Sequence, residues 1–315
     1  MHTIILPTAP QPDTLVAIFL LKKFGERVFP GIKEARVKIW QTLPAEKSAE
    51  ILEKEGHLLI DIGMGCFDHH GKKDATASGL VAFFLGVSDD PALAKMLEYA
   101  RRDDLFGKGT VSADPIDRAF GLSALVYHLN RSLSQDASRT VGLVLPFLIA
   151  HYNEERKRAH ELPREFASLK DAGKATSFVL RHGNKNVKAI VVESDNISLA
   201  GYLRSREGGR IDVVGQYLSS GHANILTRPA KRIDLRNTVS LIRIREAELQ
   251  KRDIDLSLEE SAKPGRLKKI PEWYYDRATN SIQNGGVNPR SVPPTRIPKP
   301  EMVKILALGL THTLR

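Results

Sequence analysis

The stretch Leu58-Leu-Ile-Asp-Ile-Gly-Met-Gly-Cys-Phe-Asp-His-His-Gly71 decides how the rest of the chain is read. Leu58, Leu59 and Ile60 form a short apolar run closed by glycines, the pattern of a buried strand. Asp61 stands where that strand ends, and Asp68, His69 and His70 follow soon after. In open α/β sheets the ligand crevice lies outside the carboxyl ends of the strands, so Asp61 is placed to face it. Carboxylate oxygens together with imidazole nitrogens suit Mn²⁺, Zn²⁺ or Fe²⁺. Such an ion polarises a phosphoryl oxygen and makes hydroxide at neutral pH. A turn that merely bonds its own backbone has no need of Asp, His and His together beside a strand end.

Working outward, residues 3–7 read as a first strand and 13–24 as a helix with Leu15, Val16, Phe19, Leu20 and Leu21 inward. Residues 35–40 alternate as a second strand, and 44–55 form a helix before the strand that carries Asp61. This strand–helix rhythm predicts a parallel sheet with right-handed crossovers. Helices are expected over 75–85 and 91–102. The first is entered through small residues, which serve either an anion at the helix amino end or close packing. Residues 114–170 read as helical, with a solvated charged face over 151–164. The boundary is expected between Lys170 and Ser177, giving domains 1–170 and 171–315. The second domain shows strands at 187–193, 211–217 and 223–227, a helix over 237–251, a turn at 281–286, a proline-rich run from 289 to 300 and a closing helix over 301–310. The expected class is therefore α/β: a parallel-sheet domain with flanking helices, followed by a smaller mixed α/β C-terminal domain.

The 315 residues suffice for two cores, and a 42% hydrophobic fraction is ordinary for a globular protein. Lys and Arg exceed Asp and Glu by 47 to 37, a net charge of +10 that favours a phosphate-rich partner such as RNA, DNA or nucleotides. The single cysteine, Cys66, cannot form an internal disulfide, which suits a reducing compartment, and it reads as a small buried hydrophobe. No targeting segment or apolar run of bilayer length is evident, so the sequence points to the cytoplasm and to no membrane partner.

The Asp-x-Gly and Asp-His-His-Gly elements resemble the signature of the DHH phosphoesterase superfamily, nearest its exonuclease branch. The second half is similar to the DHHA1 accessory domain that often follows. The resemblance implies that Asp13, Asp61, His69 and Asp104 hold a divalent metal, Mn²⁺ foremost with Mg²⁺ or Co²⁺ as alternatives, Asp61 bridging if two ions bind. It implies that Asp68 orients a ligating His, and that His70 contacts the scissile phosphate or assists the leaving group. Gly221 and His222, in a loop related to a Gly-Gly-His, would bind substrate phosphate with Arg228, Lys231 and Arg232. The chain departs from the pattern in its first motif. Pro12-Asp13 matches, but Leu15 stands where a second Asp belongs, and Ala9 or Gln11 where relatives place His; a second ion should therefore bind weakly. Ser220 likewise replaces a glycine.

Bland readings stand beside these. Asp13 also serves as a plain helix N-cap, Asp103 competes with Asp104, and either acid could pair with Arg101 or Arg102. Ser-Ser-Gly also makes a hairpin turn. Lys263, Arg266, Lys268 and Lys269 beside Trp273-Tyr-Tyr275 either hold a single strand by charge and stacking or pack on the domain. Two functions follow: a metal-dependent phosphodiesterase or exonuclease acting on RNA, short oligonucleotides or nucleotides, or a DHH-fold nucleotide or nucleic-acid binding module without turnover.

Overall fold

The computed structural model describes residues 1–285 and 292–311, so Gly286 of the expected turn and Pro289, the first proline of the 289–300 run, lie outside the described residues. The chain forms two compact units, Met1–Lys157 and Arg158–Arg315, dividing ahead of the boundary expected near Lys170.

The first unit is built on three parallel strands, β1 (Thr3–Leu6), β2 (Arg36–Ile39) and β3 (His57–Leu59), in the order β2-β1-β3. Every residue of β1 is buried because both faces of the sheet are covered. Ile4 and Leu6 point into the main core with Phe19, Leu20, Phe67 and Val81, while Ile5 points the other way onto Leu52 and Leu59. Helix α1 (Pro12–Phe24) opens with Pro at its first position, where no amide bond is lost. Helix α2 (Ala49–Lys54) is shorter than expected, because the Ser48 hydroxyl caps it and the residues before it form turns. Helices α3 (Ala77–Phe84), α4 (Ala94–Phe106), α5 (Pro115–Ala119), α6 (Leu122–Ser132) and α7 (Ala137–Arg156) complete the unit.

The second unit begins within a π-helical turn at Lys157–Glu161. It contains α8 (Leu162–Asp171), β4 (Ala175–His182), β5 (Lys185–Glu193), α9 (Leu199–Arg204), β6 (Val213–Tyr217), β7 (Ala223–Thr227), α10 (Arg236–Leu249), α11 (Leu258–Ser261), β8 (Gly265–Leu267), β9 (Ile270–Asp276), β10 (Ser281–Gln283) and α12 (Lys299–Thr311). Its sheet is mixed, in the order β4-β5-β6-β7-β10-β9-β8, with β5 and β6 parallel and the other neighbours antiparallel. One face packs Val191, Val213, Ile225 and Trp273 against α10 and α12; the other packs Ile190, Val192 and Val214 against Leu199 and Leu203. The architecture is α/β in both units. Among the described residues, no helix is long and apolar enough to cross a membrane.

Candidate metal centre

Because β1 and β3 are parallel neighbours, the loops leaving their carboxyl ends emerge at the same edge of the sheet. The loop after β3 carries Asp61, Asp68, His69 and His70; the loop after β1 leads into α1 and Asp13. Asp61 adopts left-handed backbone, φ 61°, as do Gly63 at 81° and Met64 at 55°. Asp tolerates that region better than most residues. The curl is closed by the Asp61 amide donating to the Phe67 carbonyl at 3.1 Å. Phe67 anchors it from below, fully buried and edge-on to Phe29 and Phe84.

Asp68 holds the loop together from within. Its carboxylate accepts from the Met64 amide at 2.7 Å, the His70 amide at 3.0 Å and His70 Nδ1 at 2.7 Å. Burial pushes this carboxyl up, but those three bonds outweigh it and leave it below the usual range. The same pairing, ahead of any other influence, raises the pKa of His70. The imidazole that Asp68 orients is thus that of His70, whose ring is exposed and stacks on His69 at 5.1 Å between centroids.

His69 lies between two carboxylates, its Nδ1 3.2 Å from Asp61 Oδ1 and its Nε2 3.5 Å from Asp104 Oδ2. A neutral imidazole carries one proton and cannot donate to both; one nitrogen must face an added cation, a proton or a metal. Asp61 Oδ1 and His69 Nδ1 are both buried and neither has a hydrogen-bond partner, although they are close together. Two atoms ligating one ion at about 2.0–2.2 Å sit roughly 3 Å apart, which fits this pair. Ligand atoms of Asp61, His69 and His70 lie within 4.8 Å of one another, and so do those of Asp13, His69 and Asp104. These two clusters, sharing His69, are positioned to chelate a divalent metal ion. Burial first, and neighbouring acids such as Asp13 after it, raise the pKa of both Asp61 and Asp104 against the opposing pull of His69 and His70.

Asp13 is not the N-cap of its own helix; Gln11 holds that position. Its carboxylate instead reaches the start of α3, accepting from the Ala77 amide at 2.8 Å, the Ser78 amide at 3.0 Å and the Ser78 hydroxyl at 2.5 Å. The anion at this small-residue helix start is therefore Asp13 itself. Asp104 lies in the last turn of α4, which runs on to Phe106 and stops at left-handed Gly107, so the acid is not beyond the helix as expected. Asp103 points elsewhere: it accepts from the Ser123 hydroxyl and, at 3.3 Å, from the Gly109 amide. Leu15 is 1% exposed and packs in the core, filling with apolar volume the place where the resemblance expects another ligand. Cys66 is exposed and not the buried hydrophobe that the sequence suggested.

In the second unit the expected phosphate loop is the β6–β7 hairpin turn, with left-handed Gly221 at φ 79° and a Leu218 amide to His222 carbonyl bond of 2.8 Å. His222 is buried, its Nε2 bonded to the Val292 carbonyl at 2.8 Å and its Nδ1 to the Ser220 hydroxyl at 3.0 Å, so neither nitrogen is left for a ligand. The Ser219 amide already donates to the Asp195 carboxylate at 2.7 Å. Arg228 pairs with buried Asp212 at 2.6 Å, and Lys231 stands 3.9 Å from the same acid. Arg232 is exposed. Trp273 is fully buried, donating to Glu246 at 3.0 Å, and Tyr275 is buried as well, so these two rings pack on the domain while Tyr274 between them is exposed.

Sequence reasoning missed three features: the Asp13 bond to α3, the Asp68–His70 pair, and Asn130, whose buried amide donates to the Pro10 carbonyl at 2.7 Å. The first and third join residues far apart in the chain, and only the second had a local signal. Searches against known protein families, curated proteins and solved structures each return no match, so the reading of this centre rests on its own geometry.

Proposed function

We propose that this chain is a metal-dependent phosphodiesterase of the DHH type, acting on RNA, short oligonucleotides or nucleotides. The observation that carries the reading is His69 between Asp61 and Asp104, with its Nδ1 and the facing Asp61 oxygen buried and unpartnered. Asp13, Asp61, His69 and Asp104 are the residues that would hold the ion, and Mn²⁺ suits this mixed oxygen and nitrogen set. When bound, a divalent ion supplies Lewis-acid activation of a phosphoryl oxygen and of a water.

The chain's own residues do the rest. Asp68 fixes the His70 ring through Nδ1, which leaves Nε2 facing outward from an exposed imidazole. That pairing raises the pKa of His70 and orients its ring, the arrangement of a general acid for a leaving-group oxygen. Arg232 and the wider cationic surplus attract the remaining phosphates of an oligonucleotide. His222 has no part in this account because both its nitrogens are engaged.

A second reading, a DHH-fold binding module without turnover, is favoured by the eroded first motif: buried Leu15 removes one oxygen ligand, and Ala9 or Gln11 in place of His removes one nitrogen ligand. The deciding experiment is metal analysis of the purified protein with cleavage assays on oligoribonucleotides and dinucleotides in Mn²⁺, Mg²⁺ or Co²⁺. Hydrolysis that is lost in Asp61→Ala and His69→Ala together with bound metal supports the enzyme. Tight nucleotide binding with no hydrolysis under any of the three ions would establish the binding module instead.

A further inference from the structure

Helix α7 is anchored along one side and bare along the other. Val141, Val144, Leu148 and Tyr152 point into the core of the first unit. On the opposite side Arg139, Leu143, Pro146, Phe147 and Ala150 are all exposed, Phe147 to 73% and Leu143 to 48%. Their spacing of three and four residues lines them along one stripe, which Glu154 continues at the carboxyl end. From residue 139 to residue 154 the stripe runs about 22 Å. Apolar side chains grouped in this way on a surface mark an interaction site, where scattered single ones do not.

The order of charges along the stripe decides what fits it. A cation, Arg139, stands at one end, apolar residues fill the middle, and an acid, Glu154, stands at the other end. Reversed, this pattern is its own complement. Two copies of α7 laid antiparallel, about a two-fold axis between residues 146 and 147, set Arg139 opposite Glu154 of the partner subunit. Leu143 then lies opposite the partner subunit's Ala150, large against small, and Phe147 meets the partner's Phe147 beside the axis. A two-fold contact between identical chains requires a self-complementary patch of this kind. Phe147 also borders an apolar cavity of about 480 Å³ with Met96, Leu122 and Leu148 in its lining, a recess with room for an aromatic anchor. A helix that lies on a lipid surface is flanked by basic residues, and an acid closing the stripe is out of place there.

We propose that α7 is a dimerisation helix: it pairs antiparallel with α7 of a second copy of this chain through Leu143, Pro146, Phe147 and Ala150, and each end closes with an ion pair between Arg139 and Glu154. None of these residues belongs to the candidate metal centre, so the inference stands whether or not the chain hydrolyses phosphodiesters.

The test is sedimentation velocity of the full chain from about 1 to about 200 µM. A species of twice the 35.0 kDa chain mass should grow with concentration. Phe147→Asp changes an exposed side chain and should raise the dissociation constant about thirtyfold or more, the scale of losing a central aromatic anchor. Arg139→Glu and Glu154→Arg should each weaken the dimer about fivefold, because each sets like charges together at both ends of the stripe. Combining the two substitutions restores opposite charges and should return the dissociation constant to its wild-type value. That recovery separates the pairing from any effect of a single substitution on folding. A monomer at every concentration, a dimer indifferent to Phe147→Asp, single charge reversals without effect, or a double variant no better than the singles would overturn the proposal. A monomer that floats with phosphatidylglycerol vesicles would overturn it in favour of a lipid surface.

Discussion

His69 has two ring nitrogens and two carboxylate neighbours, and around it Asp13, Asp61 and Asp104 crowd negative charge into a partly buried space. Like charges brought together away from water oppose folding unless a cation answers them. Removing one should therefore stabilise the metal-free protein while destroying the site. Asp61→Asn is expected to raise the stability of the metal-free protein by about 1 kcal/mol and to abolish Mn²⁺ binding. Urea titration in chelator and metal analysis check the two halves; a destabilised metal-free variant would contradict the charge argument. Asp68→Asn tests a different role. The residue touches Met64 and His70 and stands outside both chelating clusters, so metal content should persist. Hydrolysis should fall about 10- to 100-fold, the usual cost of losing an orienting partner, and the rise in rate attributable to protonated His70 should disappear from the pH profile. At this scale the sequence disclosed the residue types and their grouping, since Asp68, His69 and His70 are adjacent. It could not disclose that Asp68 serves His70, because two neighbouring imidazoles differ only in the direction in which the loop turns them.

Elements read more unevenly. In the first sheet β1 and β3 announced themselves as apolar runs, because strands packed on both faces leave little polar interruption, while edge strand β2, which exposes Arg36 and Lys38, showed itself by alternation instead. In the second unit, β4 escaped notice: as an edge strand it exposes Val179 and Arg181, and its pattern never resolves into an apolar run. Strands β8, β9 and β10 were hidden for another reason. Two of them are three residues long, and β8 lies among lysines and a glycine, so composition spoke for a loop. What holds that region is Arg243, fully buried in α10, which donates to the carbonyls of Ser261, Lys263, Gly265 and Trp273. Arg243→Met keeps most of the volume but leaves those carbonyls without a donor. It should cost on the order of 3 kcal/mol, read as a lower urea midpoint for the second unit. The chain has two tryptophans, so Trp40→Phe isolates the fluorescence of Trp273 for this measurement. An unchanged midpoint would show that solvent reaches the carbonyls instead.

At the scale of the whole molecule the net charge of +10 becomes a prediction about salt. If oligonucleotide phosphates are met by surface cations, affinity for a short oligoribonucleotide should fall at least tenfold between about 50 and about 200 mM salt. Arg232→Ala should flatten that slope; a salt-independent affinity would remove the basic surplus from the account. The units divide at Lys157 and Arg158, where α7, the π-helical turn and α8 follow one another without a loop, so no turn residues in the sequence mark the place. The bond from Asp13 to the start of α3 has a consequence at this scale too. Two amides and a hydroxyl hold that carboxylate in place whether or not an ion is near. The centre therefore behaves as a socket and not as a clasp: the ion enters a shape that already exists, and its departure melts nothing. Treatment with a chelator should leave the near-ultraviolet dichroism and the cooperativity of unfolding as they were, lowering the midpoint only by mass action. In a cell, such a protein would keep its fold through metal starvation and resume work as soon as ions returned, with exchange limited by how fast the ion leaves.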